Sequence, residues 1–234
     1  MDGMARTPTS DKWIIGLGFR AKIEGLGNEI ESWLDGMGGR LSQQLVFLIE
    51  ADRLKGVIRG NRIADASRRE NTAEHSWHLA LFAMVLSEYA IGEIDVWRVV
   101  QMLVLHDLVE IESGDTPLFD MAGATDQAAR ERLAADKLFG LLPTPQGRTF
   151  RALWEEFEAA ESADARFAKA LDRLQPILLN HVVGGGTWTD YDVDEGRERA
   201  MTRRIAEGAP ELWQAAEAVF ADAVRNGWLK PMPE

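Results

Sequence analysis

Apolar residues recur three and four positions apart through nearly every long segment of this chain, and strict alternation over five or more residues is hard to find. That periodicity predicts an all-α, single-domain helical bundle, with helices near 41–54, 72–90, 96–112, 126–140, 148–160, 163–182, 195–206 and 211–226. Several boundaries carry their own chemistry. Asn71 stands three residues before Glu74, the spacing of a capping box, and Asp95 is placed to cap the next helix. Gly114 stops that helix and Pro117 prevents its resumption, so Gly114-Asp115-Thr116-Pro117 reads as a turn. Pro176 falls inside 163–182, where it predicts a kink, and Gly184-Gly185-Gly186 ends the segment.

No composition break divides the 234 residues. The expected organisation is a glycine-rich extension or lid over 1–40, a core over 41–183, and C-terminal helices over 184–234 packed on that core. Apolar residues make up 46%, enough for a sizeable interior filled by eight Trp and nine Phe. Residues 1–12 are polar, and no apolar run approaches the roughly 20 residues that a bilayer span requires, so neither export nor membrane insertion is expected. With 38 acidic against 26 basic residues the net charge is −12, which argues against coating a nucleic acid polymer or an anionic lipid surface and for a small-molecule partner. The absence of cysteine excludes disulfides, thiolate ligation and a cysteine nucleophile, and fits the cytoplasm.

Chemistry concentrates in a few polar positions inside apolar runs. The chain has four histidines, and three fall in two short motifs: Glu74-His75-Ser76-Trp77-His78 and the doublet His106-Asp107. A lone helical histidine is commonly a packing residue, and an Asp in Leu171-Asp172-Arg173 can be an ordinary salt-bridge partner. The doublet changes the balance, because Val104-Leu105-His106-Asp107-Leu108-Val109 would bury two polar groups at a cost unless they had a partner. Imidazole and carboxylate are the usual ligands of divalent transition metals, and three packed helices contributing His75, His106, Asp107 and Asp172 would make such a site. His2Asp2 ligation suits manganese, cobalt, iron, zinc, nickel or magnesium. Glu110, three residues after Asp107 and four after His106, is placed to exchange a proton with water at that site. His78 is expected behind the ligands or in packing, and His181 in a structural role.

Between Arg53 and Arg69 the charge reverses locally, with Arg53, Lys55, Arg59, Arg62, Arg68 and Arg69 against Asp65 alone. Guanidinium groups pair with phosphate oxygens, and this stretch runs straight into the helix bearing His75, so an anionic substrate is expected there.

The string Arg68-Arg69-Glu70-Asn71-Thr72-Ala73-Glu74-His75-Ser76-Trp77, then His106-Asp107-Leu108-Val109-Glu110, Gly114-Asp115-Thr116-Pro117 and Leu171-Asp172-Arg173-Leu174-Gln175, resembles the HD-domain metal-dependent phosphohydrolases, in particular the bacterial 5′-deoxynucleotidase family. The similarity runs over about residues 41–181. It implies an α-helical HD fold over the 41–183 core, one divalent metal ion, hydrolysis of the phosphate of nucleoside 5′-monophosphates, and a homodimer. By position, His75, His106, Asp107 and Asp172 would hold the metal, Glu110 would act on the catalytic water or leaving group, Asp115 would hold substrate, and Arg59 or Arg62 would bind phosphate. One position departs: the bacterial enzyme follows its upstream arginine with a tryptophan at the sugar, whereas Gly60 follows Arg59 here and Ile63 follows Arg62. The other readings are a nucleotide- or metal-binding regulator without turnover and a phosphohydrolase acting on another phosphorylated small molecule. A di-iron oxygenase would need further histidines between His106 and Asp172, and there are none.

Overall fold

The computed structural model describes residues 39–114 and 126–232. The expected extension or lid over 1–40, all but its last two residues, and the turn residues Asp115, Thr116 and Pro117 lie outside the described residues. The chain folds as helices α1 (Gly39–Asp52), α2 (Thr72–Leu86), α3 (Val96–Leu105), α4 (Glu110–Ser113), α5 (Gln127–Phe139), α6 (Thr144–Ala159), α7 (Ala163–Val182), α8 (Thr187–Asp190), α9 (Glu195–Thr202), α10 (Arg204–Gly208) and α11 (Pro210–Arg225). A hairpin of β1 (Ile58–Arg62) and β2 (Arg69–Asn71) separates α1 from α2. No helix among the described residues is long and apolar enough to cross a membrane.

The architecture is built around α7. Ser162 caps it by accepting from the Ala165 amide at 3.1 Å, and α2, α3, α6, α10, α11 and β1 all pack against it. Its buried positions Phe167, Ala168, Leu171, Leu174 and Ile177 meet Leu79, Met102, Leu103 and Phe157 from the surrounding helices. Each large side chain enclosed in this way contributes about 1.5–3 kcal/mol. α7 continues through Pro176, whose missing amide leaves the Asp172 carbonyl without its helical donor. Gly184, Gly185 and Gly186 end it at φ values of 78°, 120° and 49°.

α2 begins where expected. The Asn71 side chain accepts from the Glu74 amide, and Glu74 reaches back to the Asn71 amide. Asp95 caps α3 by accepting from the Trp97 and Arg98 amides.

The helix expected over 195–206 divides into α9 and α10, and two features near the candidate site also differ from the expectation. The helix anticipated over 96–112 is not continuous: it winds into a 3₁₀ turn at His106–Val109 and resumes as α4. The His106 ring takes the Leu103 carbonyl, the acceptor that regular α winding assigns to the Asp107 amide, and so the change of winding falls at the doublet. The second difference is the hairpin. Its strands carry Arg59, Gly60, Asn61 and Arg62 in place of alternating apolar residues, and its anchorage is polar: Asn61 donates to Asn180 of α7 at 2.9 Å, and Asn180 bonds Thr187 of α8.

On α9, Glu198 is buried beside Trp188 and Arg173. Burial pushes its carboxyl up to about 7 from an ordinary 4.5, against the smaller opposing pull of Trp188 and Arg173. A raised carboxyl binds more protons in the folded chain, so the stability it lends is present below pH 4.5 and lost as pH rises through about 7. Glu198→Gln is therefore expected to raise the thermal midpoint at pH 8 and leave it unchanged at pH 4. The gain at pH 8 should be on the order of 2–3 kcal/mol. Melting both proteins at the two pH values checks this.

Candidate metal centre

Three helical segments deliver the donors. His75 lies in the first turn of α2, held there by the capping box one residue earlier; His106 and Asp107 come from the 3₁₀ turn; Asp172 comes from mid-α7. His75 Nε2 lies 3.2 Å from Asp172 Oδ1 and 3.9 Å from Asp107 Oδ2. His106 Nε2 lies 3.0 Å from Asp107 Oδ1 and 3.6 Å from Asp172 Oδ1. One donor atom each from His75, His106 and Asp172 fall within 4.8 Å of one another. His75, His106 and Asp172 converge from three elements with the Asp107 carboxylate beside both imidazoles, and both imidazoles are buried.

The remaining ring nitrogens are committed elsewhere. His106 Nδ1 donates to the Leu103 carbonyl at 2.8 Å, and His75 Nδ1 donates to Gln175 Oε1 at 3.1 Å. With Nδ1 donating, a neutral ring carries its lone pair on Nε2, the nitrogen turned to the carboxylates, as a metal-binding imidazole needs. His106 Nε2 is a buried nitrogen with no aligned hydrogen-bond partner, despite its closeness to Asp107. A divalent cation would satisfy it.

The electrostatics point the same way. Burial disfavours charge on His106, but the Asp107 and Asp172 carboxylates together outweigh it and raise the imidazole well above its usual value. Burial likewise opposes the charges of Asp107 and Asp172, and the neighbouring imidazoles outweigh it, holding both carboxyls below their usual range. The pocket thus holds two buried carboxylates that favour positive charge, which a divalent ion would supply while displacing the proton that Asp107 and Asp172 favour on His106.

Arg59 closes one side. Its Nη1 donates to Asp107 Oδ2 at 3.1 Å and its Nε lies 3.8 Å from Glu70 Oε2, with the side chain only 13% exposed. Arg62 does not share this position. Arg59 and Asn61 lie on the hairpin face turned toward α7, and Arg62 is exposed at the end of β1. Glu110 is buried, and its Oε2 accepts from Thr72 Oγ1 at 3.0 Å at the start of α2. Glu112 points away and pairs with Lys137. Asp115 lies outside the described residues. His181 pairs with Asp222 and packs on Trp228, far along α7 from Asp172.

Glu70, Thr72 and Phe157 escaped the sequence reading. Glu70 sits one residue beyond the basic stretch and Thr72 one beyond the cap, and neither position by itself signals a role at the centre. Phe157 lays its ring 4.7 Å from that of His106, and Lys169 covers its other side at 3.9 Å. Nothing in the spacing of α6 distinguishes Phe157 from the other core positions of that helix.

An HD domain profile matches residues 51–213. The human protein "5'-deoxynucleotidase HDDC2" is 31% identical over 135 residues, which cover 57% of this chain and 65% of that one. The Danio rerio protein of the same name is 25% identical over 195 residues, covering 83% of this chain and 88% of its own. A crystal structure from Magnetospirillum magnetotacticum MS-1, described as a predicted metal-dependent phosphohydrolase, is 48% identical with a TM-score of 0.80, covering 82% of this chain and 97% of that one. With its profile match spanning the hairpin, the doublet and Asp172, this chain belongs to the HD-domain family.

Proposed function

We propose that this protein is a metal-dependent phosphohydrolase that removes the 5′-phosphate from nucleoside and deoxynucleoside monophosphates. The observation that carries the reading is the convergence of His75, His106, Asp107 and Asp172 with the Arg59 guanidinium attached to Asp107. The names of the human and zebrafish relatives and the description of the Magnetospirillum protein support it.

In this account His75, His106, Asp107 and Asp172 hold one divalent ion, and manganese, cobalt, iron, zinc, nickel and magnesium all suit the donor set. When bound, such an ion supplies Lewis acidity and lowers the pKa of a water. Arg59 offers paired N–H donors to phosphate oxygens and offsets the charge that develops on them. Glu110, kept in place by Thr72, accepts a proton from water as its oxygen attacks phosphorus. It then returns that proton to the 5′-oxygen as the phosphorus–oxygen ester bond breaks, releasing nucleoside and inorganic phosphate. Asp115 is assigned to holding the substrate. Gly60 stands after Arg59 where the bacterial enzyme has a tryptophan at the sugar, so ribose and deoxyribose substrates are both expected to turn over. A cytoplasmic site of action fits the acidic, cysteine-free chain.

Phosphate release from all common nucleoside 5′-monophosphates, with each metal in turn, tests this reading. Turnover of several monophosphates is the expected result. Turnover of p-nitrophenyl phosphate alone would point to another phosphorylated substrate, and metal binding without turnover of any would point to a regulator.

The homodimer has a natural surface. On α2, Trp77, Leu81, Met84 and Val85 form an exposed apolar stripe at helical spacing, and the adjacent α3 exposes Trp97 and Val104 one above the other. Exposed aromatic and aliphatic groups on two neighbouring helices suit a second copy of the chain. Light scattering is expected to give twice the monomer mass for the wild type and the monomer mass for Trp77→Glu combined with Met84→Glu.

A further inference from the structure

Gln175 is fully enclosed beside the centre, with no solvent exposure at all, as are His75 and Thr72. It lies three residues after Asp172 on α7 and shares that helix face. Both ends of its amide are engaged. Oε1 accepts from His75 Nδ1 at 3.1 Å, while Nε2 donates to Glu70 Oε1 at 2.8 Å and lies 3.3 Å from His78 Nδ1.

We propose that Gln175 is a positioning residue for the metal centre, fixing His75 in the tautomer whose Nε2 is open to the ion, with Glu70 and His78 fixing the direction of its amide. The inference rests on His75 being a ligand.

The argument follows from donor and acceptor identity. Glu70 Oε1 accepts at 2.8 Å from the amide NH2 of Gln175. The opposite end, the carbonyl oxygen, is then turned to His75, which must donate from Nδ1. Its proton is thereby kept off Nε2. Without Gln175, Nδ1 has Glu70 Oε2 at 3.6 Å, beyond a good hydrogen bond, whereas Nε2 has Asp172 Oδ1 at 3.2 Å. The imidazole would place its proton on Nε2 and close the site to a cation. Glu70 itself is steadied by Arg59 Nε at 3.8 Å, so one polar line runs from the guanidinium through Glu70 and Gln175 to His75.

Two substitutions separate this role from simple space-filling. Gln175→Leu fills the site with apolar atoms but gives His75 no acceptor; Gln175→Glu keeps an acceptor oxygen but sets a second carboxyl against Glu70. Calorimetric titration of manganese or cobalt into the metal-free proteins at pH 7.5 is the measurement. The Leu variant is expected to bind about 10–100-fold more weakly than wild type, and the Glu variant to bind more tightly than the Leu variant. Thermal unfolding without metal should show the opposite order, since a buried second carboxyl is costly and leucine is not. Wild-type affinity in the Leu variant, or weaker binding by the Glu variant than by the Leu variant, overturns the proposal. Should the Glu variant fail to fold, the affinity of the Leu variant alone decides. His75→Ala serves as the reference: if it binds metal like wild type, the metal centre itself has been misassigned, whereas loss there with an unaffected Leu variant removes only the role of Gln175.

Discussion

His106→Ala is expected to lose its divalent ion on dialysis and to release phosphate at least about a thousandfold more slowly than wild type. The side chain is buried against Phe157, bonded at Nδ1 to Leu103, and aimed at both carboxylates through Nε2. Alanine removes one of four donors and leaves Asp107 and Asp172 facing each other across a buried gap without the imidazole that compensates them. A metal ion contributes several kcal/mol of charge stabilisation in a phosphoryl-transfer transition state, and a thousandfold loss corresponds to about 4 kcal/mol. Asp107→Ala should behave alike. Metal content by elemental analysis and the phosphate-release rate give the two readouts. One equivalent of metal retained together with a wild-type rate would remove His106 from the centre.

Glu110→Ala should separate metal from chemistry. Glu110 contacts Thr72 and stands one 3₁₀ turn beyond Asp107. Its loss is expected to leave metal content at the wild-type level while the rate falls by about 10²–10⁴-fold, the range for removing a general acid–base. Full activity in this variant would contradict the assigned proton transfer, and loss of the metal would make Glu110 a ligand.

The helices were legible because their signals are local. The Asn71–Glu74 capping box placed the start of α2 at Thr72, and the apolar spacing of 163–182 matched α7 at both ends. The candidate metal residues stand out in the sequence for a related reason: His106 and Asp107 interrupt an apolar run, an interruption that burial penalises unless something answers it. What stayed hidden depends on distance along the chain. Gln175 meets Glu70 across 105 positions, and no spacing rule connects them. The choice between Arg59 and Arg62 turned on strand alternation, in a hairpin whose Arg, Gly and Asn residues carry no apolar period and which is anchored instead through Asn61 to Asn180. The break at His106 was hidden because the imidazole that draws on the Leu103 carbonyl looks, in sequence, like one more helical residue.

The most direct test titrates metal-free protein with manganese while following phosphate release from dAMP and AMP. The activity is expected to be negligible without metal, to rise in proportion to added metal, and to level off at about one equivalent per chain, as a single site demands. Phosphate release that is unchanged by exhaustive chelation, or one tightly bound equivalent with no release from either nucleotide, would contradict the assignment of these residues to a hydrolytic metal centre.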